Sequence, residues 1–439
     1  MAPRGGCLSL KHRVRAAFPL RGPMERSLRR MERASAEEIK RYQERRLRGL
    51  VRVAAAGSPF YRRWFAESGI EPGSIRTLED LKALPLLHRR DLAEGPDRFC
   101  VYPRGLMWAA HSSGTSGRVV TTYRTPGSSV FELSALQRQW SWFGLPARPR
   151  RIALRGADPD VDGSGALTRV IPGASQMVVS SYRFGRVDVP RLLGEMRAFR
   201  PDAVEGWPSS VALLASVLYE HGERLPVTAV ITSSEVITAE QSALMQEVFC
   251  APIVDHYGQT ERVSMAGTCE AGGYHVFPDY GIVELLPVPG RLDRWEIVGT
   301  PLHNWGFPLF RYRTGDEVGS PPYDGCECGR AFDVLGRVDG RIEDCFTAAD
   351  GRSLPMPSMV IDDLVGFHEI QVAQLAPGRF EIRMVPRDGT DIAGAQAQAR
   401  RNVERHYGPG QEVGFQVLDR VPRTPSGKLK PAIIEESSG

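Results

Sequence analysis

No run in this chain approaches the roughly 18 uninterrupted apolar residues that span a bilayer, which excludes a helical transmembrane protein. Net charge is also small. Lys plus Arg is 56 against 52 Asp plus Glu, a balance of +4 over 439 residues, and this gives no general field for holding nucleic acid. Cysteine is sparse and odd in number. Seven cysteines at irregular intervals form no disulfide framework, so a reducing cytoplasm is the expected setting. The N-terminal stretch lacks an apolar segment of signal-peptide length and is broken by Pro19 and Pro23. Internal repeats and long low-complexity linkers are missing too.

The charge that is present is uneven. Residues 1–33 hold nine Lys/Arg and two Glu, a balance of +7 that leaves the remainder at −3. Residues 1–34 are therefore expected to be a disordered basic tail. Order is expected from Ser35, which forms a capping box with Glu38 ahead of a helical pattern reaching Gly57. Between 203 and 258 the pattern alternates. Ser209 is placed to cap a helix, Val227–Ile231 reads as a buried strand, Thr238 and Gln241 form a second capping box, and Ile253-Val254 starts another strand. Alternation of this kind specifies an α/β layered domain. Beyond 340 the elements become a small α+β set, with a strand over 379–385, a helix over 390–406 and a last strand over 412–418. The fold expected is α/β, with a large multi-layer N-terminal domain over 35–338 and a small mobile α+β lid over 339–439.

Several segments carry chemistry. His-Ser-Ser-Gly-Thr-Ser-Gly-Arg at 111–118 packs hydroxyls and glycines into one loop whose N–H and O–H groups can cradle phosphate, without the Gly-Lys-Ser/Thr ending of a P-loop. Asp-His-Tyr-Gly-Gln-Thr-Glu at 255–261 follows a strand and sets an aromatic plate and a carboxylate at its C-terminal end, where open α/β sheets bind ligands. Phe-Pro-Leu-Phe-Arg-Tyr-Arg-Thr-Gly-Asp at 307–316 reads as a strand ending in a turn that bears a carboxylate. Gly336-Arg337-Val338-Asp339 and Arg423-Thr424-Pro425-Ser426-Gly427-Lys428 complete the set. Separately, Cys269, His275, Cys326 and Cys328 make a Cys3His set suited to a structural zinc ion, with free thiols as the alternative. A Ser/His hydrolase at His111-Ser112 has no third member.

The order of these segments resembles the adenylate-forming superfamily, and in detail its phenylacetate-CoA ligase-like branch, including Ser58-Pro59-Phe60-Tyr61 and Leu84-Pro85-Leu86. The resemblance implies an enzyme that joins a carboxylic acid to the α-phosphate of ATP, releases pyrophosphate and passes the acyl group to a thiol, usually that of CoA. It implies that Ser112, Ser113, Gly114, Thr115, Ser116 and Gly117 cradle phosphates, that Ser234 and Glu235 lie at the adenine and acyl wall, and that Tyr257 with Gly258 meets adenine. By the same resemblance Thr260 binds phosphate, Glu261 holds Mg²⁺, Asp316 accepts the ribose hydroxyls, Arg337 steadies the nucleotide, Asp339 is the hinge and Lys428 the catalytic lysine. This chain departs from the pattern at Arg118, where Lys is common, and at Ser233-Ser234, where many relatives have Gly-Ala, which points to a more polar pocket.

The expected substrate is an aryl or arylacetic acid, with Trp140, Trp142, Phe143 and Trp207 as candidate pocket walls. CoA is the expected acceptor, with a carrier protein or an amine as the alternative. A non-catalytic nucleotide-binding protein of the same fold is the rival from another class. Neither nucleic acid nor membrane is expected as a partner, and a homodimer is left open.

Overall fold

The computed structural model describes residues 21–111, 120–154, 166–171, 173, 175–180, 189–289, 291–319, 325–336, 338–341, 346–351, 353–354, 360–361, 363–423 and 429–435. The chain divides into two compact units. One holds residues up to 147 together with 254–338, and the other holds 148–253 together with 339–439. One of the divisions falls between Val338 and Asp339, and residues 148–253 group with 339–439.

In the first unit the helix Ala36–Gly57 begins at the expected capping box. Ser35 Oγ accepts from the Glu38 N–H, and the Glu38 carboxylate accepts from the Ser35 N–H. Its apolar face of Leu47, Leu50, Val51 and Ala54 packs into a core with Tyr61, Phe99, Phe307 and Phe310. The expectation of disorder through residue 34 fails at residues 21–31, which form the helix Arg21–Met31. Met24, Leu28 and Met31 recur at i, i+4 and i+7 and supply the apolar stripe that a basic composition concealed. Leu28 is 1% exposed, in a cluster with Phe131, Met265, Phe277 and Tyr280. Its carbonyl accepts from Arg138, which also pairs with buried Asp279.

Antiparallel pairing builds the sheets of this unit, including Trp108–His111 with Thr121–Arg124. Ile253–Gly258, Met265–Thr268, Tyr274–Val276 and Val334–Leu335 pair in that order, and Gly281–Pro287, Trp295–Pro301 and Tyr312–Val318 form a meander.

In the second unit Ala229–Ser233, Ala203–Gly206, Arg151–Leu154 and Gln176–Val179 run parallel in that order, with Thr168–Ile171 antiparallel at the edge. The helices Val189–Phe199, Pro208–Glu220 and Ala239–Phe249 share one apolar core with these strands. The Thr238–Gln241 capping box is present. Ser209 is not a cap: the helix starts at Pro208 with Trp207 at the cap position, because proline's preset φ and missing N–H suit a first helical position. The strand expected at 227–231 runs from Ala229 to Ser233.

The C-terminal part of this unit is a four-stranded sheet ordered Glu412–Val417, Arg379–Pro386, Phe367–Ala376, Ala432–Ile434, with the helix Ile392–Tyr407 packed on it. It meets the helices of 148–253 through polar contacts. His368 bridges Ser216 Oγ at 3.0 Å and Glu220 at 3.2 Å, while Glu240 accepts from the Gly366 N–H at 3.0 Å and pairs with Arg387 at 3.3 Å. The architecture is thus α/β with a smaller α+β C-terminal part, as the sequence implied. Among the described residues no helix is long and apolar enough to cross a membrane.

Candidate active site

Tyr257 and Gly258 occupy the last two positions of the strand Ile253–Gly258, opposite Ala266 and Met265, whereas the sequence placed them in a turn beyond a shorter strand. The turn itself is 259–262. It closes when the Arg262 N–H donates to Gln259 O at 3.1 Å, and it ends with Arg262 at φ +57°, the left-handed region. Gln259 braces it by donating to both the Tyr257 and Ser264 hydroxyls at 2.6 Å.

Tyr257 in turn donates to Asp316 Oδ2 at 2.6 Å. Desolvation, reinforced by the Asp316 carboxylate, pushes the Tyr257 hydroxyl well above the ordinary phenol range, so it stays a proton donor. Asp316 lies inside the strand Tyr312–Val318, not in a turn after one. The strand is irregular there. Pairing shifts register between Glu296 and Val298, and Gly315 takes φ +75°, which a side chain resists. Thr314 donates to Ile297 O at 2.7 Å and accepts from the Asp316 N–H at 3.0 Å, which re-aims the carboxylate.

Glu261 is buried at the same turn. Its Oε1 accepts from Tyr312 Oη at 3.1 Å and lies 3.7 Å from Arg89 Nη1; none of the described residues donates to Oε2. The preceding carbonyl, Thr260 O, accepts from Arg124 at 2.8 Å and from Thr122 Oγ1 at 3.4 Å. These belong to the strand Thr121–Arg124, which follows the Ser/Thr/Gly loop in sequence. A carboxylate with one oxygen held and the other without a described donor fits a hard cation that keeps phosphate ligands.

In the second unit Ser233 ends a parallel strand, Ser234 adopts φ +72° and Glu235 Oε2 accepts from the Ser209 N–H at 3.0 Å. Ser112, Ser113, Gly114, Thr115, Ser116, Gly117, Arg337 and Lys428 lie outside the described residues, and Asp339 falls on the short strand Val338–Arg341. Of the candidate acyl walls, Trp142 is engaged elsewhere, edge-on to Phe277 and under the Arg330 guanidinium at 4.0 Å. Sequence reasoning missed Arg89, Gln259 and Tyr312 as partners of the site. Gln259 and Tyr312 sit inside quoted motifs, but nothing in the sequence marks Arg89.

The Cys3His set converges. The ligand atoms of Cys269, His275, Cys326 and Cys328 all lie within 4.8 Å of one another, with Cys269 Sγ to Cys326 Sγ at 3.6 Å and Cys328 Sγ to His275 Nε2 at 3.2 Å. A tetrahedral zinc with about 2.3 Å Zn–S bonds needs edges of about 3.8 Å, so the donor set fits. His275 Nδ1 donates to Phe332 O at 3.0 Å, which leaves Nε2 as the ligand atom. Gly273 is required by close approach, since a Cβ there would stand 2.8 Å from Cys326 Sγ.

No family model matches the chain. It is 28% identical over 344 residues to a phenylacetate-coenzyme A ligase of Thermus thermophilus, covering 72% of this chain and 73% of that one. A phenylacetate-coenzyme A ligase of Pseudomonas putida is 26% identical over 338 residues, with 72% and 73% covered. Protein CapK of Staphylococcus aureus is 18% identical over 416 residues, with 90% and 91% covered. Among solved structures, 2-hydroxyisobutyryl-CoA ligase in the postadenylation state shares the fold, with a TM-score of 0.71, 21% identity, and 92% of this chain and 91% of that one covered. These likenesses support the adenylate-forming superfamily, and within it the phenylacetate-CoA ligase-like branch, as the group of proteins this chain resembles.

Proposed function

We propose that this protein is an AMP-forming carboxylic acid ligase that makes an acyl-adenylate from ATP and then transfers the acyl group to the thiol of CoA. The observation that carries the reading is the union of Tyr257, Asp316 and Glu261. Tyr257 ends the strand that leads into the turn carrying Glu261, and both bond to the strand Tyr312–Val318 that carries Asp316, which supports reading them together as adenine plate, metal carboxylate and ribose acceptor. Tyr257 would present its ring to adenine while its hydroxyl holds Asp316, and Asp316 would accept the ribose hydroxyls. Glu261 would hold Mg²⁺, which neutralises charge on the triphosphate. The loop 112–117 would donate to the phosphates, and Lys428 would stabilise charge developing at the α-phosphate. Asp339 would serve as the hinge that lets residues 339–439 present different faces to the two half-reactions.

An aryl or arylacetic acid is the proposed substrate. Trp207, buried at the C-terminal end of the parallel strand Ala203–Gly206, supports an aromatic wall where such sheets bind ligands. We also propose that Cys269, His275, Cys326 and Cys328 hold a structural zinc ion and that the enzyme works in the cytoplasm.

Acid-dependent ATP/pyrophosphate exchange across a panel of carboxylic acids tests the reading, with thioester formation measured separately. Lys428→Ala is expected to lower exchange on the order of 10²–10³-fold while sparing thioester formation from supplied acyl-adenylate. Absence of exchange with every acid, or wild-type exchange in Lys428→Ala, sinks it.

A further inference from the structure

Glu261 has a second cation in reach besides the metal it is read to bind. Arg89 opens the short helix Arg89–Ala93, and the residue two before it is tied to the ribose-side strand. The Leu87 N–H donates to Arg311 O at 3.1 Å, and Leu87 O accepts from the Arg313 N–H at 2.9 Å, so Leu87 bridges Tyr312. One backbone junction therefore delivers both groups that meet Glu261 Oε1, the Tyr312 hydroxyl at 3.1 Å and the Arg89 guanidinium at 3.7 Å. The Glu261 side chain is 4% exposed and that of Arg89 19%. A carboxylate so enclosed is costly without a counter-charge, and Arg89 is the cation at hand. Yet 3.7 Å is beyond hydrogen-bond length, so the contact is electrostatic and breaks without losing a directed bond.

We propose that Arg89 is a positioning and charge-balancing residue for Glu261. It neutralises the carboxylate when no nucleotide is present, together with Tyr312 keeps Oε1 occupied so that Oε2 faces the metal, and by repulsion disfavours a free divalent cation. A metal bound to a triphosphate brings compensating negative charge, which Arg89 attracts. The residue thereby selects the metal–nucleotide complex over the bare ion. This inference rests on the reading of Glu261 as the metal ligand.

The opposite signs of the two effects make the test specific. Arg89→Met is expected to bind free Mn²⁺ roughly tenfold more tightly, read by the electron paramagnetic resonance of unbound Mn²⁺. The same variant should bind magnesium α,β-methylene-ATP roughly tenfold more weakly, read by titration calorimetry. Arg89→Lys should return both affinities toward wild type. A merely structural role would weaken both ligands together and lower the thermal midpoint, and that result overturns the proposal, as do unchanged affinities in Arg89→Met. Glu261→Gln separates the two failures. If that variant keeps wild-type Mn²⁺ and nucleotide affinity, the metal-ligand reading itself falls. If it loses metal while Arg89→Met changes nothing, only the role of Arg89 falls.

Discussion

The Tyr257 hydroxyl donates to Asp316 Oδ2 at 2.6 Å, joining two residues 59 positions apart into one hydrogen-bonded unit. Tyr257→Phe keeps the ring and removes the bond. Hydrogen bonds to charged groups contribute about 1.5–3 kcal/mol, so the variant is expected to raise the KM for ATP about tenfold or more while folding normally. Pyrophosphate exchange at varied ATP measures this. An unchanged KM would mean that Asp316 is aimed by the Thr314 and Gly315 backbone alone.

The zinc assignment predicts about one zinc per chain in protein purified without chelators. Cys326→Ser should lose the ion and lower the thermal midpoint, while leaving adenylation intact at temperatures where the protein stays folded, because a structural metal stabilises the fold and takes no part in the reaction. Metal analysis that finds no zinc in fresh wild-type protein refutes it.

Buried His303 makes stability acid-sensitive. Its Nδ1 donates to Tyr280 O at 3.0 Å, its ring stacks on Phe131, and its Nε2 is buried with no hydrogen-bond partner among the described residues. Desolvation, with Arg262, Arg46 and Arg124 nearby, lowers its pKa from 6.5 to about 3. The folded state therefore favours the neutral ring, and the unfolded chain binds the proton first. The stabilisation is complete above about pH 6.5 and is lost as pH falls toward 3, on the order of 5 kcal/mol across that window. His303→Asn should flatten the pH dependence of the urea midpoint between pH 6.5 and 4 relative to wild type. Parallel curves would show that His303 does not titrate in this range.

Leu28→Ala should destabilise the protein by roughly 2–4 kcal/mol, the usual cost of truncating a buried leucine. Chemical denaturation gives the value. A loss within 0.5 kcal/mol would show that the helix Arg21–Met31 contributes nothing to the core it packs on.

Local rules were readable where the information is local. The Ser35–Glu38 and Thr238–Gln241 boxes need only four residues each and appear as expected. The Cys3His set was visible as ligand chemistry, although only the pairing of Met265–Thr268 with Tyr274–Val276 and of Tyr274–Val276 with Val334–Leu335 brings its members together. Composition misled at the N-terminus. The stripe of Met24, Leu28 and Met31 is too short to outweigh the arginines until Arg138 and Asp279, from 110 and 251 positions away, complete its binding face. The strand ends at 258 and 318 were misplaced because glycine and polar residues, read as turn signals, here mark an irregular strand and a strand terminus.

By itself the sequence determined the order of the motifs, the α/β class and the residue types available for nucleotide chemistry. The tertiary structure alone decided which partners those residues have: Asp316 on Tyr257, Tyr312 and Arg89 on one oxygen of Glu261, His303 between Phe131 and Tyr280. The division is physical. A capping or turn preference acts within a few residues, whereas the burial that makes a hydroxyl a lasting donor, or a carboxylate dependent on a counter-charge, arises only when distant segments close around it.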